Sequence, residues 1–190
     1  MAAELPEWVL PPRPSGWEAD DLDHLPQAPR HTELIDGALI FKMSAQRSWH
    51  SRLMENLAFA LRQEAPDGVE IERETTIRLD RKSRPEPDVP AAAVPYDPDR
   101  IRYLPDEVVR VIEVASEESA DRDRSIKPFE YAQAGIPHFR RVEDEPSGPA
   151  VHVYELDTVT RSYVATGIHR EQLKVAVPFP ATIDLGGLVP

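Results

Sequence analysis

A chain of 190 residues is long enough for one compact domain that buries roughly 70% of its unfolded surface, and too short for two comfortable ones. Its 22 lysines and arginines against 34 aspartates and glutamates leave a formal net charge of −12, which counts against strong non-specific nucleic-acid binding, although a local basic patch can coexist with an acidic whole. The absence of cysteine excludes disulfides and thiolate metal sites, and the lack of a ~20-residue apolar window or a secretion signal makes a soluble, cytoplasmic protein with no membrane partner the expectation.

Residues 1–30 are proline-rich and lack sustained periodicity, so they read as an arm or short helix draped on the body, with Trp8 and Trp17 as anchors. The remainder, 31–190, reads as a single domain. It opens with two apolar runs flanking Asp36-Gly37, a strong hairpin signal because both turn residues tolerate positive φ. Between residues 48 and 65, Leu53, Met54, Leu57, Ala58 and Leu61 recur at helical spacing, with His50 heading the apolar stripe. Pro66-Asp67-Gly68 stops that helix, and residues 70–79 then alternate as one half-exposed strand. Pro85-Glu86-Pro87-Asp88-Val89 leads into a short apolar segment in which Pro90 implies an edge, a bulge or a very short strand.

Residues 108–115 form the clearest strand of the chain, β-branched almost throughout. A polar, acidic stretch follows. The next helix is expected from about 125 to 133 or 134, capped by Gly135, with Pro128 tolerated only in its first turn. Strands are expected near 138–142, 151–156, 163–168 and 172–177. The order of hairpin, helix, strands, helix and strands predicts a mixed β-sheet core flanked by helices, of α/β or α+β class.

Glu113 interrupts the apolar strand and shares a face with Val109, Val111 and Ala115. A buried carboxylate costs several kcal/mol or more unless a cation, a metal or hydrogen-bond donors compensate it, so this residue asks for a partner. Asp88 and Glu113 on neighbouring strands, with Lys127 at the mouth of the same sheet, suit Mg²⁺ or Mn²⁺, hard cations that keep waters and bind phosphate oxygens. Structural pairing is the plainer alternative: Glu113 with a buried Arg or Lys, Asp88 capping a turn after Pro87, and Lys127 pairing with Asp123 on a solvated helix. Two basic stretches offer local positive charge. One comprises Arg78, Arg81, Lys82 and Arg84, the other Arg122, Arg124, Lys127, Arg140 and Arg141. No GxSxG elbow, phosphate-binding glycine loop or HExxH motif points to another enzyme class.

Five short blocks, in order, carry a resemblance. They are Glu33-Leu34-Ile35-Asp36-Gly37 with His50 at the start of the next helix; Pro87-Asp88-Val89; Ile112-Glu113-Val114-Ala115-Ser116; Asp123-Arg124-Ser125-Ile126-Lys127; and Tyr131-Ala132-Gln133-Ala134-Gly135-Ile136-Pro137. From about Glu33 to the C-terminus the chain resembles the Uma-type family of putative restriction endonucleases, within the PD-(D/E)XK nuclease superfamily. The resemblance implies a restriction-endonuclease-like fold, a divalent metal and hydrolysis of DNA phosphodiester bonds. It matches Asp88 to the first acid of the motif and Glu113 to the second, aided in metal binding by the Val114 backbone carbonyl. The lysine that usually follows two residues after the second acid is Ala115 here, and Lys127 takes its place on the following helix. Glu33 would be an additional metal or water ligand, or else a surface acid beside a turn. His50 would contact phosphate or water, or else sit hydrogen-bonded at the edge of the core.

Pro128 and Pro90 depart from the family pattern and strain the elements that present Lys127 and follow Asp88. Two functions follow. One is a Mg²⁺-dependent endodeoxyribonuclease in which Lys127 orients or activates the attacking water; the other is a nuclease fold that no longer cleaves and serves as a binding or assembly module. Enzymes that cut both strands commonly act as symmetric pairs, which makes a homodimer the arrangement to look for.

Overall fold

The hairpin forms where its turn residues require it. In the computed structural model, which describes residues 6–42, 46–116 and 122–189 and only the backbone of Arg122 and Asp123, Asp36 and Gly37 take φ of 46° and 77°. They join β1 (Thr32–Ile35) to β2 (Ala38–Phe41) in antiparallel register. Helix α1 (Ser48–Glu64) follows and buries His50, Leu53, Met54, Leu57, Ala58 and Leu61, the stripe its spacing predicts.

The expected strand over 70–79 is instead two short ones, β3 (Glu70–Ile71) and β4 (Thr76–Ile77). The break has a hydrogen-bonding cause. Glu72 and Glu74 donate their backbone N–H groups to the Pro90 and Asp88 carbonyls, whereas Arg78 donates to Tyr103, so the chain changes partners part-way, with Glu74 at φ 52°. Alternation along a sequence reports a pleated surface but not which strand lies beside it.

The remaining strands are β5 (Val89–Ala92), β6 (Arg102–Tyr103), β7 (Val108–Val114), β8 (His138–Glu145), β9 (Gly148–Asp157), β10 (Ser162–His169), β11 (Gln172–Val175) and β12 (Ala181–Asp184). Helix α2 (Lys127–Gln133) connects β7 to β8 and is preceded by a wide π-type turn over Arg122–Ile126. A six-stranded sheet runs in the order β10-β9-β8-β7-β5-β3, with β7 and β8 parallel and every other pair antiparallel. β6 and β12 were not foreseen. The first is two residues long, and the second is the return strand of a small hairpin with β11.

Pro90 sits inside the main sheet. β5 is four residues long, fully buried, and bulged between Ala91 and Ala92, and the Pro90 carbonyl accepts from Glu72. A strand this short loses little by lacking one N–H donor.

The sheet carries two apolar layers. On one face Ile112, Val114, Val89, Val142 and Val151 pack against α1 and the β11–β12 hairpin. On the other, Val111, Phe139 and Tyr131 pack with Ile77 and Tyr103. The N-terminal segment lies against β1, where Trp17, Ala19 and Leu34 form a third cluster, while the Trp8 ring meets Phe41 edge-on at 5.8 Å.

The first basic stretch is not a free surface patch. Arg78 pairs with Asp20, Arg81 with Glu18 and Arg84 with Asp23, and Lys82 donates to the Ser15 and Trp17 carbonyls. These cations bind the N-terminal segment to the body.

Arg140 of the second stretch is buried with the apolar layer on the α1 side, together with Arg110, which belongs to neither stretch. The Arg110 guanidinium, unnoticed in the sequence, lies 4.6 Å from the Phe179 ring centre and meets no hydrogen-bond acceptor among the described residues. Arg140 donates to the Val177 carbonyl at 3.1 Å. Burial holds the Arg110 pKa well below its ordinary value, helped by Arg140, and brings Arg140 down to about 10. A cation–π contact contributes about 0.5–2 kcal/mol, less than the several kcal/mol cost of desolvating an ion. Arg110→Met, which keeps the length and removes the charge, is therefore expected to stabilise the fold by about 1–3 kcal/mol. Thermal unfolding should show Tm rising by roughly 2–10 °C, whereas a lower Tm would make the Phe179 contact the dominant effect.

Candidate functional site

Asp88 and Glu113 are brought to the same end of the sheet because β5 and β7 are antiparallel neighbours with Val89 registered against Ile112. Pro85 and Pro87 fix the extended approach to β5. This stretch also docks the first hairpin, since Leu34 and Arg84 exchange backbone hydrogen bonds at 3.1 and 2.7 Å. Docking turns Glu33 inward, and its side chain is fully buried rather than lying on the surface.

Lys127 supplies the cation that Glu113 demands. Its Nζ lies 3.1 and 3.2 Å from the two Glu113 carboxylate oxygens and 2.9 Å from Glu33 Oε1. Lys127 is the first residue of α2, so Pro128 falls in the opening turn, where a missing N–H breaks no helical hydrogen bond. The lysine is 1% exposed, which excludes the solvated-helix reading. The Asp123 side chain proposed as its alternative partner lies outside the described residues, as do residues 117–121 of the acidic stretch.

Several groups complete the site that the sequence did not single out. Tyr131, one turn after Lys127, donates its hydroxyl to Glu113 Oε1 at 2.7 Å; its i+4 spacing from the lysine was the available signal. Lys42, just past β2, lies 3.4 Å from Glu33 Oε1 and donates to the Glu86 carbonyl at 3.1 Å. Glu86 in turn donates its N–H to Glu33 and lies 2.7 Å from His31 Nδ1. Extending the hairpin register by one residue places His31 opposite Lys42, but only the docked hairpin brings both to Glu86.

His50 joins the other side of the site. Its Nε2 is 3.0 Å from the Val114 carbonyl oxygen and 3.4 Å from Asp88 Oδ2, while the Val114 N–H donates to that same Oδ2 at 2.6 Å. The carbonyl proposed as a metal ligand is thus a hydrogen-bond acceptor for His50.

These contacts set the charges. Burial pushes the Asp88 pKa up, but the His50 hydrogen bond and the nearby Lys42, His50 and Lys127 charges outweigh it and bring it down to about 2. Burial also opposes ionisation of Glu33, and Lys127 with Lys42 reverses the direction, so its pKa is lowered. Lys42 is raised despite burial and Lys127, because Glu33, Asp88 and Glu113 surround it. His50 is raised despite burial, through Asp88, while Glu86 is raised chiefly by burial.

The donor set fits a hard divalent cation. Asp88 and Glu113 offer carboxylate oxygens, Val114 a carbonyl, and Glu33 Oε2 is a buried oxygen with no hydrogen-bond partner among the described residues. No three His, Asp or Glu side chains form a ready-made cage among those residues. Two carboxylates plus water is the provision Mg²⁺ ordinarily receives.

The architecture is that of a nuclease-like α+β fold. It superimposes on the crystal structure of a protein described as a putative nuclease belonging to DUF820 from Anabaena variabilis ATCC 29413, with TM-score 0.70 and 15% sequence identity over 89% of this chain and 95% of that one. Residues 19–185 match the Uma2 family model, described as "Putative restriction endonuclease", and the chain belongs to that family. No curated protein matches it. Among the described residues, no helix is long and apolar enough to cross a membrane.

The His50–Asp88 contact gives the fold a pH signature. A histidine whose pKa is raised on folding contributes stability that is fully present below its unfolded value of about 6.5 and lost as pH rises through the folded value. Denaturation midpoints measured from pH 5.5 to 9 are expected to fall across that window, and the fall should be smaller in His50→Gln. Equal slopes in the two proteins would remove His50 as the cause.

Proposed function

We propose that this protein is a Mg²⁺- or Mn²⁺-dependent endonuclease that hydrolyses phosphodiester bonds in DNA. The reading rests on one observation above the others: α2 delivers the Lys127 ammonium to Glu113 at 3.1 Å, although the residue two places after Glu113 is Ala115. Family membership supports the same chemistry.

Asp88 and Glu113 would hold the metal, with the Val114 carbonyl and Glu33 as further oxygen donors. When bound, the ion supplies Lewis-acid polarisation of the phosphate and lowers the pKa of a coordinated water. The chain's own residues position the other participants. Lys127 orients and activates the attacking water and offsets negative charge developing on the phosphate oxygens. Tyr131 fixes the Glu113 carboxylate. His50 does the same for Asp88 and the Val114 carbonyl, and Lys42 holds Glu33 ionised. A cytoplasmic homodimer would give the two active centres that double-strand cleavage needs.

Cleavage of supercoiled, duplex and single-stranded DNA with Mg²⁺ or Mn²⁺ is the direct test. Asp88→Ala and Glu113→Ala are expected to abolish cleavage, and Lys127→Met to lower kcat by about 10²–10⁴-fold, the usual contribution of a positioned proton-transfer group. No cleavage on any substrate, or activity surviving both acid substitutions, would exclude the proposal.

The second reading, a non-cleaving binding or assembly module, is favoured by the charge balance: two lysines already compensate Glu33 and Glu113. Calorimetry separates the two readings. A millimolar-or-tighter Mn²⁺ site that disappears in Glu113→Gln argues against the module.

A further inference from the structure

At the outer edge of the main sheet, β3, β6 and the loop that precedes β6 enclose a cavity of about 190 Å³. Glu70 is registered against Ala92, at the end of β5 away from Asp88, and no side chain of the candidate site lines this cavity. Three carboxylates do: Glu70, Glu72 and Asp97.

Their charge is not balanced locally. Glu70 and Asp97 enter no ion pair among the described residues, and Glu72 has Arg62 only at 4.0 Å. Arg100 is the cation among the lining residues. Its guanidinium is already committed, 3.4 Å from Glu107 and 5.1 Å from the centre of the Tyr103 ring. Three lining acids against one lining arginine make the cavity a local well of negative potential.

A buried hydroxyl without a partner points to a ligand there. Tyr103 is 2% exposed, its ring packed with Ile77, Val108 and Val111 and covered on one face by Arg100. The residue still lines the cavity, so the polar end of the ring is the part that meets it. That hydroxyl makes no hydrogen bond among the described residues, although buried polar groups are ordinarily satisfied. Burial, and then Glu72, push its pKa up to about 12, with Glu70 and Glu107 adding to the rise and Arg100 opposing it. The phenol is therefore neutral, and its oxygen can accept a hydrogen bond from a cation. Tyr96 also lines the cavity and is 68% exposed, a ring that can cover a cation or the methylenes beside it.

The arrangement selects the kind of cation. A hard divalent ion needs several oxygens converging within about 2.6 Å, and among the described residues no three His, Asp or Glu side chains form such a cluster. Dispersed carboxylates, a phenol oxygen and an aromatic wall suit a ligand whose own charges are spaced along an apolar chain. Each ammonium group brings three donors, and its bonds to carboxylates are charge-assisted.

We propose that this cavity binds a linear aliphatic diamine or polyamine, with one ammonium among Glu70, Glu72 and the Tyr103 hydroxyl, a second beside Asp97, and the methylenes against Tyr96. The site stands apart from the nuclease reading, because none of its residues takes part in that chemistry.

Isothermal titration calorimetry of the full chain with putrescine, at fixed ionic strength, is the test. Saturable one-to-one binding is expected. Tyr103→Phe removes an oxygen that has no partner, so thermal unfolding should be unchanged while affinity falls about tenfold, the usual worth of a hydrogen bond to a charged group. Glu70→Gln and Glu72→Gln, at partly exposed positions, should each weaken binding by about two- to fivefold, and Glu171→Gln, an exposed acid elsewhere, should leave it unchanged. Butylamine, with a single ammonium, should bind about tenfold or more weakly than putrescine.

Absence of saturable binding at millimolar putrescine overturns the proposal. So does binding that survives Tyr103→Phe and both glutamine substitutions, which would belong to the acidic surface at large. Displacement of putrescine by Mg²⁺ at equal ionic strength would make the cavity a general cation site, and butylamine binding as tightly as putrescine would assign it to single lysine side chains of another protein; either result also overturns it. Should Tyr103→Phe lower the unfolding temperature, the two glutamine variants decide the question by themselves.

Discussion

The arrangement of the candidate site depends on keeping buried carboxylates ionised. Glu33, Asp88 and Glu113 each lie almost wholly out of water, and an uncompensated ion in such surroundings costs several kcal/mol. Lys127, inserted between Glu33 and Glu113, meets the larger part of that cost, and Lys42 and His50 meet the rest. The cations come from three different places: a hairpin end, the first turn of α1 and the first turn of α2. The electrostatics therefore tie five segments of the chain, the first hairpin, α1, the approach to β5, β7 and α2, to one point. Each charged side chain of the candidate site is thereby fixed by partners from other elements.

The same economy of charge explains the basic residues that looked surplus. Arg78, Arg81 and Arg84 are committed to Asp20, Glu18 and Asp23, and hold the N-terminal segment against the first hairpin. Arg140 is buried on the α1 side of the sheet, opposite the face that carries Glu113. Beside α2, Arg124 and Arg141 both pair with Glu143. Composition alone argues against a nucleic-acid partner. Local placement of charge, rather than the total, decides what an acidic chain can bind.

Much of the scaffold was legible from local signals. Asp36-Gly37 specified the hairpin, the apolar stripe specified α1, and β-branched residues specified β7, because each signal reports backbone conformation or a buried face within one element. Where several partners compete, the signal failed. The alternating run over 70–79 divides between two sheets because its N–H groups find acceptors first on the β5 segment and then on Tyr103. β6 and β12 are too short, or too dependent on a partner, to be recognised alone.

For the site, the sequence by itself determined that Glu113 needs compensation, because an acid in a β-branched run violates its local environment wherever the strand ends up, and the family resemblance of its short blocks made Asp88, Lys127, Glu33 and His50 the candidates around it. Only the tertiary structure decided that Pro128 leaves Lys127 free to reach Glu113, that Glu33 faces inward, and that Lys42, Glu86 and Tyr131 belong with them. These are questions of which side chains meet across elements. Their answers come from the antiparallel pairing of β5 with β7 and the docking of the hairpin on Arg84, long-range contacts that no spacing along the chain encodes.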